Sequence, residues 1–584
     1  TSNTVAAANY NFTLVTDALA LGAAVNGGTG TITIKPHSAS TTIGLGNSST
    51  GTLNLTNTEL GYINTAGNNF ASIVIGDAVN GTGAISYKPG STISFASNLT
   101  LQQKATGDGI TLANSITTTG SQTYTGAVTL GADLTLTTSN GAVLFSSTVD
   151  NNTATPRALT ISAGSANVTF TGAVGSGANG DLGAMIVNST GNTTFSSSVN
   201  AASVTTNAGG TVYLGGNVTT TGNQTYNDAV SLTGNVVLNA PALTTASTIA
   251  AGSYNLTMTT DALSLASNIT GTGALVIQPK TNSTTVAIGS AATGTLALSD
   301  TALTYINDHF SSITIGSSAG TAAMGIDYSA ASFTFTNPLV LRSNTGNIAA
   351  VDTLRVGTNG LTISTGGTVN LVGVLSGALS VTGSAITLNN DITTSGSQSY
   401  TGPVSLAANI TLDSTANSNN GAVSFSSTVN SATSTARNLN VTAGSGNVTF
   451  TGAVGNTYAL GAIAIDTTGT TTFSSTVNAA SLTTNTGGTT SLGGNVTTTG
   501  NQSYGDAVVL VANIVLDASS IATSSTIAAA NYNFTLITDT LALGAAVNGG
   551  TGTITIKPHT ASTTIGLGNS STGTLNLTNT ELGY

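Results

Sequence analysis

Long stretches of this chain are repeated within it, and this repetition limits the available folds more than any other feature. Residues 1–62 return as residues 523–584 with only five differences, all of them small or conservative. A looser third copy begins near Tyr254, which corresponds to Tyr10. Internal repeats of short apolar runs and polar turns are typical of solenoids, in which each structural unit stacks on the next.

The repeats divide the chain into two related super-repeats and the start of a third. We place the first at residues 1–244, the second at 245–522 and the opening of the third at 523–584. The segment from Tyr305 to Tyr400 in the second super-repeat is longer than the matching segment from Tyr62 to Tyr124 in the first, and the added residues lie near 340–385. A closed core would rarely accept such an addition, whereas a stack gains one or two layers at little cost. Because both ends interrupt a super-repeat, we expect a section of a longer array.

The short apolar runs have the alternation of β-strands. Val, Ile, Leu and Thr alternate in runs such as 31–34, 134–136 and 313–315, and Gly, Asn, Asp and Ser separate the runs. Strand clusters recur at roughly 20–25 residues, which suits one coil of three strands and their turns. We therefore predict an all-β fold, a parallel β-helix (β-solenoid) forming an elongated rod of roughly 25 coils. At ~4.8 Å per coil, the rod would be on the order of 120 Å long.

The low charge of the chain agrees with parallel stacking. Charged residues make up 5% of the sequence, against about 25% in average soluble proteins. In a parallel stack, a charge faces the same position of the next coil at about 4.8 Å, where like charges repel. Thr, Ser, Asn and Val stack without that repulsion, and Asn amides can form ladders.

A Gln-Ser/Thr-Tyr signature keeps one rival architecture open. It ends at Tyr124, Tyr226, Tyr400 and Tyr504. The spacing from Tyr124 to Tyr226, and that from Tyr400 to Tyr504, would suit tandem sandwich domains of about 100 residues. The sequence has no Trp and no shift of composition at such intervals. These observations favour the solenoid.

The composition also excludes several classes of protein. Without cysteine there is no disulfide scaffold, thiol enzyme or zinc-thiolate site. A net charge of −11 with nine dispersed cations excludes electrostatic binding of nucleic acid. The longest apolar run, Ala507 to Leu516, is shorter than the ~20 residues of a membrane helix. We expect no nucleic-acid partner and no membrane insertion by this segment.

Two segments resemble a known family of repeats. Residues 121–130 (SQTYTGAVTL) and 219–232 (TTTGNQTYNDAVSL) are similar to the repeats of filamentous-haemagglutinin-type proteins, large bacterial surface and secreted proteins often described as β-strand-repeat proteins. The resemblance lies in the general pattern of the repeats, which extends over essentially the whole chain, and it includes no functional motif. It implies a right-handed parallel β-helix, export across a Gram-negative envelope, an extracellular or cell-surface location, and a role as stalk, fibre or adhesin.

Residue types that carry catalysis are scarce. The only two glutamates, Glu59 and Glu581, are copies of one position, and no Asp pair recurs at a sequence spacing that would form a groove with two carboxylates roughly 5–10 Å apart, as glycosidases need. His37 and His559 are likewise copies and follow Pro, which lies at strand ends. His309 adjoins Asp308, and neighbours on a strand point to opposite faces, so no triad results. We predict no catalytic, cofactor-binding or metal-ligating residues, no cofactor and no enzymatic activity.

Three further patterns are weaker. A calcium β-roll needs a repeated Gly/Asp nonapeptide, and the closest fragment, residues 177–183, occurs once. The Thr-x-Thr pairs, such as those of residues 29–33, are too irregular for an ice-binding array and indicate strand residues. The four signature tyrosines suit either surface platforms for sugars or buried rings at a coil corner, and we favour buried rings.

The sequence favours a structural function. We predict an extracellular β-solenoid that forms a surface fibre, sheath or stalk, with self-association end to end or laterally through exposed end coils and flat faces. The alternative is an adhesin repeat region that binds cell-surface glycans or proteins. For that function the insertion at 340–385 is the best local site.

Overall fold

The regular structure of the protein consists almost entirely of parallel strands. The computed structural model describes residues 3–64, 70–306, 309–328 and 333–584. It contains 47% strand and 4% helix, in parallel sheets of many strands. The predicted all-β parallel β-helix is confirmed. The rival architecture of tandem sandwiches is wrong, because sandwiches are built from antiparallel sheets.

The chain forms two compact units. Unit 1 comprises Thr1–Lys280 with Thr304–Phe310, and unit 2 comprises Thr281–Leu303 with Ser311–Tyr584. The super-repeat boundaries at 244 and 522 come from the sequence and stay a prediction.

Unit 1 contains three parallel sheets, A to C, and a short strand pair, Val5–Ala6 with Val25–Asn26. The strands of sheet A, in stacking order, are Phe12–Val15, Thr31–Lys35, Ser72–Asp77, Asn98–Gln103, Gln122–Thr125, Val143–Phe145, Val168–Phe170, Asn192–Phe195, Thr211–Leu214, Ala229–Leu232, Ile249–Gly252 and Ile269–Gly271. Those of sheet B are Leu53–Leu55, Ile43–Leu45, Ile85–Tyr87, Ile110–Leu112, Val128–Leu130 and Val149–Asn151. Those of sheet C are Ile93–Phe95, Ile116–Thr118, Leu134–Thr138, Leu159–Gly164, Leu182–Ser189, Val199–Thr206, Val218–Thr220, Gln224–Tyr226, Val236–Asn239, Ala242–Thr245, Leu256–Thr259, Ala262–Leu265 and Ala274–Gln278.

Unit 2 repeats this plan with sheets D to F and the strand pair Ile565–Leu567 with Leu575–Leu577. The strands of sheet D are Ser312–Gly316, Leu339–Arg342, Leu361–Ser364, Leu379–Thr382, Gln398–Thr401, Val423–Phe425, Val448–Phe450, Thr470–Phe473, Thr489–Leu492, Ala507–Leu510, Ile527–Ala528 and Val547–Asn548. Those of sheet E are Leu296–Leu298, Val286–Ile288, Met324–Ile326, Ile348–Ala350, Thr368–Leu371, Ala385–Leu388, Val404–Leu406 and Val429–Ser431. Those of sheet F are Leu354–Arg355, Val374–Ser376, Ile392–Thr394, Ile410–Asp413, Leu439–Gly444, Leu460–Thr467, Val477–Thr484, Val496–Thr498, Asn501–Tyr504, Ile514–Asp517, Ser520–Thr523, Phe534–Ile537, Thr540–Leu543 and Ile554–Lys557.

The helices of the described ranges are short: Asn57–Tyr62, Asp300–Ile306, Asn579–Gly583 and the 3₁₀ turn Ala416–Ser418. The helix Asn57–Tyr62 follows the short strand Leu53–Leu55, and the helix Asn579–Gly583 follows the short strand Leu575–Leu577. Both helices begin with the same Thr-x-x-Glu capping box.

The coils are close to the predicted length but are not all equal. The coil that starts at Thr211 is short, since Thr211 pairs with Ala229 in the next coil. The coil that starts at Ser72 is longer, since Ser72 pairs with Asn98. Along most strands buried and partly exposed residues alternate, so that Val, Ile, Leu and aromatic side chains face inward while Thr and Ser face outward. The pattern of alternating apolar and hydroxyl residues therefore specifies the interior of each unit.

Aromatic rings form a stack inside each unit. In sheet A the rings of Tyr124, Phe145, Phe170 and Phe195 follow one another with centroids 4.9–5.0 Å apart and planes within 14°. In sheet D, Tyr400 begins an equivalent stack with centroid distances of 4.9–5.1 Å. These distances match the spacing of paired strands, about 4.8 Å, because each ring lies over its in-register counterpart.

Asparagine side chains join successive coils at the turns. Oδ1 of Asn495 accepts the N–H of Val515, Oδ1 of Asn513 accepts that of Asn533, and Oδ1 of Asn533 accepts that of Thr553. Each bond satisfies a main-chain donor that the strand ladder leaves open at the coil corner. Asparagine side chains therefore support the stacking of coils by accepting hydrogen bonds from main-chain N–H groups of the next coil.

Candidate functional site

The two glutamates are structural. Glu59 Oε2 accepts the N–H and hydroxyl of Thr56 at 2.8 Å, and its Oε1 accepts the N–H of Leu21 at 2.9 Å. Glu581 makes the same bonds to Thr578 and Leu543. Burial acts to raise the pKa of Glu581, but the bonds from Thr578 and Leu543 outweigh it and lower that pKa. Each glutamate thus caps a helix and connects it to an earlier coil.

The histidine position that recurs between copies makes different contacts in different copies. Nδ1 of His559 lies 2.7 Å from Oδ1 of Asp517. In the middle copy the corresponding residue is Lys280, whose Nζ donates to Oδ1 of Asn239 at 2.9 Å. His37 is the first-copy counterpart and is exposed. His309 is also exposed, while its neighbour Asp308 lies outside the described residues.

The signature tyrosines are buried, as the sequence favoured. Tyr124, Tyr226, Tyr400 and Tyr504 are completely enclosed, and burial raises the pKa of each phenol. Each hydroxyl donates to the Gln two residues earlier, for example Tyr400 to Gln398 Oε1 at 2.9 Å. The Gln398 amide in turn donates to the Asp413 carbonyl at 2.9 Å. The signature therefore satisfies buried polar groups at a coil corner and offers no platform for sugars.

The fragment resembling a calcium loop is held by asparagine side-chain amides that donate to main-chain carbonyls. Asn151 Nδ2 donates to the Asp181 carbonyl at 2.7 Å, and Asn179 Nδ2 donates to the Asn151 carbonyl at 2.8 Å. Within the described ranges, no three His, Asp or Glu side chains come together closely enough to hold a metal ion. Of the helices in that part of the chain, none has the length and apolar character needed to cross a membrane.

Two partly exposed aspartates organise turns that correspond between the first and third copies. Oδ1 of Asp539 accepts the N–H of Thr560 and the hydroxyl of Thr563, and Oδ2 accepts the hydroxyl of Thr560. These bonds lower the pKa of Asp539 to about 2. Asp17 receives the equivalent bonds from Ser38 and Thr41, and its pKa is also lowered. Carboxylates whose lone pairs are used in this way are poor candidates for acid–base chemistry.

Two other aspartates are buried at equivalent positions. Oδ1 of Asp228 accepts the N–H of Gly210 at 2.7 Å, and Oδ1 of Asp506 accepts that of Gly488 at 2.8 Å. Burial raises the pKa of both carboxyls above its ordinary value. Oδ2 of Asp506 also accepts the Thr490 hydroxyl at 3.2 Å, whereas the buried Oδ2 of Asp228 has no hydrogen-bond partner among the described residues.

The best candidate site is a shallow groove on the outside of unit 2. It encloses about 480 Å³ and lies over the coils near 340–385. Arg342 lies at one side of it, with Ser364 and Thr382 directly above in the register of sheet D. The residues that line it include Val340, Arg342, Asn344, Ser364, Thr365 and Thr382.

The arginine of the groove replaces a glutamine of the first super-repeat, since Leu339–Arg342 corresponds in sequence to Leu99–Gln102. Both side chains make a similar bond. Arg342 Nε donates to the Gly316 carbonyl at 3.3 Å, and Gln102 Nε2 donates to the Gly76 carbonyl at 3.1 Å.

The added residues change what lies above this position. In unit 1 the next strand of sheet A is Gln122–Thr125, which carries the first signature tyrosine. In unit 2 the strands Leu361–Ser364 and Leu379–Thr382 intervene before the corresponding Gln398–Thr401. The insertion therefore places two additional strands above an arginine that stands where the first super-repeat has glutamine.

Sequence reasoning pointed to the insertion but missed Arg342, which it treated as one of nine dispersed cations. It also missed the Gln partner of each signature tyrosine, although Gln was part of the signature. Aligning the two super-repeats would have found Arg342, because the substitution of Gln102 by an arginine is visible in that alignment.

Comparison of the chain with protein-family models, with curated proteins and with solved structures found no match.

Proposed function

We propose that this chain is a structural, extracellular β-solenoid that forms a surface fibre, sheath or stalk by self-association. The observation that supports this function most directly is the parallel stacking, in which every coil presents apolar side chains and main-chain groups to the next. Such a coil face binds a further coil by the same hydrogen bonds and apolar contacts that build the stack. A stalk or fibre uses length and stiffness and requires no reactive residue.

A comparison of two copies within the chain indicates how much apolar surface one coil covers on the next. Ile43 and Leu45 are 2% and 1% exposed in the first copy, where Ile85–Tyr87 pairs with their strand. Their counterparts Ile565 and Leu567 are 52% and 63% exposed. Covering such residues removes apolar surface from water, worth about 25 cal/mol per Å². Under this proposal, the same apolar contacts would stabilise a junction between the coil faces of two molecules.

Electron cryomicroscopy of the purified chain over a range of concentrations tests the proposal. We expect particles that join with a repeat of about 4.8 Å along the joined axis. Ile565→Asp combined with Leu567→Asp places charge on the coil face and should reduce joining by at least about tenfold. Val79→Asp changes an exposed residue of a turn (73% exposed) and serves as the matched control. Particles that never join, or that join equally well with the double substitution, would refute end-to-end self-association.

The groove over the inserted coils favours a second function, an adhesin region that binds cell-surface glycans or proteins. Its position agrees with the segment that the sequence singled out. Fibre formation and binding use different surfaces of unit 2, so one molecule can perform both.

A further inference from the structure

We propose that Asp228 and Asp506 are proton-binding sites inside the two units, where each acts as a pH-sensitive element that favours the folded state in acidic surroundings. This inference goes beyond the functions proposed above and depends neither on fibre formation nor on binding at the groove. It follows from the burial of the two carboxyls, from the hydrogen bonds of each carboxyl oxygen and from the side chains packed around them.

The two aspartates occupy equivalent corners of the two units. Each follows a signature tyrosine by two residues, Asp228 after Tyr226 and Asp506 after Tyr504. Asp228 is 2% exposed and Asp506 is 1% exposed. Removing a charged carboxylate from water is costly unless a cation or several hydrogen-bond donors replace the water. A buried aspartate therefore needs such partners, or it becomes neutral by taking up a proton.

At Asp228, one carboxyl oxygen has a donor and the other has none. Oδ1 accepts the N–H of Gly210 at 2.7 Å, whereas the buried Oδ2 has no hydrogen-bond partner among the described residues. Thr206 lies opposite Tyr226 on the preceding coil, its hydroxyl faces the Asp228 carboxyl, and its buried Oγ1 also lacks a partner. A proton on Oδ2 supplies a donor that Thr206 Oγ1 can accept, so protonation pairs both oxygens. A hydroxyl can equally donate to an ionised carboxylate, so the wider surroundings decide between the two forms.

The wider surroundings of Asp228 favour the neutral form. Residues 199–245, which form this corner and the coils next to it, contain no other Asp and no Glu, His, Lys or Arg. The titratable groups beside it are the partly exposed Tyr213 on the outer face and the buried Tyr226. The Tyr226 hydroxyl donates to the Gln two residues earlier, as does that of Tyr504 in unit 2. Burial without a cation therefore raises the pKa of Asp228.

One cation reaches these coils from further along the chain. Lys280 Nζ donates to the Thr220 carbonyl at 3.2 Å and to Asn239 Oδ1 at 2.9 Å. The ammonium thus bonds to other groups of this stack and makes no ion pair with Asp228.

Unit 2 contains the same site with one natural variation. Asp506 Oδ1 accepts the N–H of Gly488 at 2.8 Å, and its Oδ2 accepts the Thr490 hydroxyl at 3.2 Å. The residue that corresponds to Thr490 in unit 1 is Val212, which has no hydroxyl to donate. A donated hydrogen bond favours the ionised form, so we expect Asp506 to release its proton at a lower pH than Asp228.

The charged groups around Asp506 do not neutralise it. Asp517 is bonded to Nδ1 of His559 at 2.7 Å, and the exposed Asp466 accepts the Asn485 amide at 2.7 Å. Both carboxylates oppose a further negative charge in this part of the stack. Burial accordingly raises the pKa of Asp506 as well.

Protonation is linked to folding because the folded chain holds these protons more tightly than the unfolded chain. In the unfolded chain each carboxyl ionises near its ordinary pKa of 3.8. The stabilisation is therefore complete below that pH and is lost as the pH rises through the higher pKa of the folded state. The partly exposed Asp17 and Asp539 have lowered pKa values and act in the opposite direction, so the test compares variants at one pH.

Other features of the described chain support less. The cation of the cavity beside Lys35 is already paired with Asp77 at 3.4 Å. Tyr10, Tyr254 and Tyr532 are exposed at equivalent turns, but an isolated ring does not select one class of ligand. The two corner aspartates combine enclosure, incomplete pairing and a matched copy in the second unit.

Infrared titration of the purified chain tests the proposal, because the C=O stretch of a protonated carboxyl is distinct from the bands of an ionised one. We expect a protonated signal that persists above the pH at which the other carboxyls ionise. Asp228→Asn and Asp506→Asn should each remove one component of that signal. Val212→Thr introduces the donor of unit 2 and should shift the Asp228 component to lower pH, whereas Thr490→Val should shift the Asp506 component to higher pH.

Urea unfolding at two pH values gives an independent readout. In Asp228→Asn, Oδ1 can still accept the Gly210 N–H and the amide can donate to Thr206, as the neutral acid does. The urea midpoint of this variant should equal that of the native chain at about pH 4 and exceed it at about pH 8. Asp133→Asn, at an exposed carboxyl of unit 1, is the control and should show no such gain. Ionisation of all carboxyls together in the infrared titration, or a lower midpoint of Asp228→Asn at the higher pH, would overturn the proposal.

Discussion

Single buried polar residues hold the corners of the coils. Oε1 of Gln398 accepts a hydrogen bond from the Tyr400 hydroxyl, and Nε2 of Gln398 donates to the Asp413 carbonyl. These three polar groups inside the stack therefore satisfy one another. Equivalent groups occur at Tyr124, Tyr226 and Tyr504. An unsatisfied buried group costs about 1–3 kcal/mol, so the pairing of these Gln and Tyr side chains stabilises the interior.

Tyr400→Phe tests this pairing without disturbing the aromatic stack. The ring remains over Phe425, but Gln398 Oε1 loses its donor, and we expect the free energy of unfolding of unit 2 to fall by about 1–2 kcal/mol. The measurement is urea unfolding followed by circular dichroism. Tyr532→Phe, at an exposed position, should change the midpoint little. Equal midpoints for both variants would show that the Gln–Tyr bond contributes nothing.

At the scale of elements, stability comes from side chains stacked in register between neighbouring strands. Phe450 lies between Phe425 and Phe473, with both centroid distances 4.9 Å. Removal of this ring leaves a cavity that the two neighbours cannot fill, because each is fixed by its own strand. A gap inside the stack therefore affects three strands together.

Phe450→Ala is accordingly expected to destabilise unit 2 by about 3–5 kcal/mol. Hydrogen exchange should accelerate in Val423–Phe425, Val448–Phe450 and Thr470–Phe473, and far less in strands several coils away, because a solenoid transmits strain mainly to nearest neighbours. Thr449→Ala, on the outer face of the same strand, is the control and should stay within about 0.5 kcal/mol of the native chain. Uniform acceleration across unit 2 would contradict this local coupling.

Much of the elements' arrangement could be predicted from the sequence, because repeats of unequal length exclude a closed core and the apolar alternation marks the inner face. The burial of Tyr400 could also be anticipated, since its signature recurs. The partners of Gln398 and the surface beside Arg342 could not. Both depend on which residues of successive coils lie opposite each other, and coils of varying length hide that register in the sequence. Arg342, Ser364 and Thr382 become neighbours only when the register is known.

At the scale of the whole molecule, each coil is an interchangeable layer. Leu361 lies opposite Leu379, and Val374 lies opposite Ile392 at the same interval along the chain. A coil bounded by such positions contributes one strand to each of sheets D, E and F. Its removal would bring equivalent strands into contact.

Deletion of residues 361–378 should therefore leave a folded protein. Leu379–Thr382 would pair with Leu339–Arg342, and the strands of sheets E and F would close in the same way. We expect the β-sheet circular dichroism spectrum and a cooperative unfolding transition to be retained. Deletion of half a coil, residues 361–369, disrupts the register of the remaining strands and should abolish cooperative unfolding of unit 2. If the two deletions behave alike, the coils are not interchangeable.

The direction of the main-chain hydrogen bonds has a mechanical consequence. In each unit these bonds run from coil to coil, so a pull along the stacking direction loads successive coil junctions in series, and every junction bears the full force. The strands at one junction can separate progressively, without shearing the rest of the sheet. A pull across the stack instead loads many strands in parallel and is shared among them. Each unit should therefore extend under axial tension by peeling off one coil at a time, while it resists bending and lateral crushing.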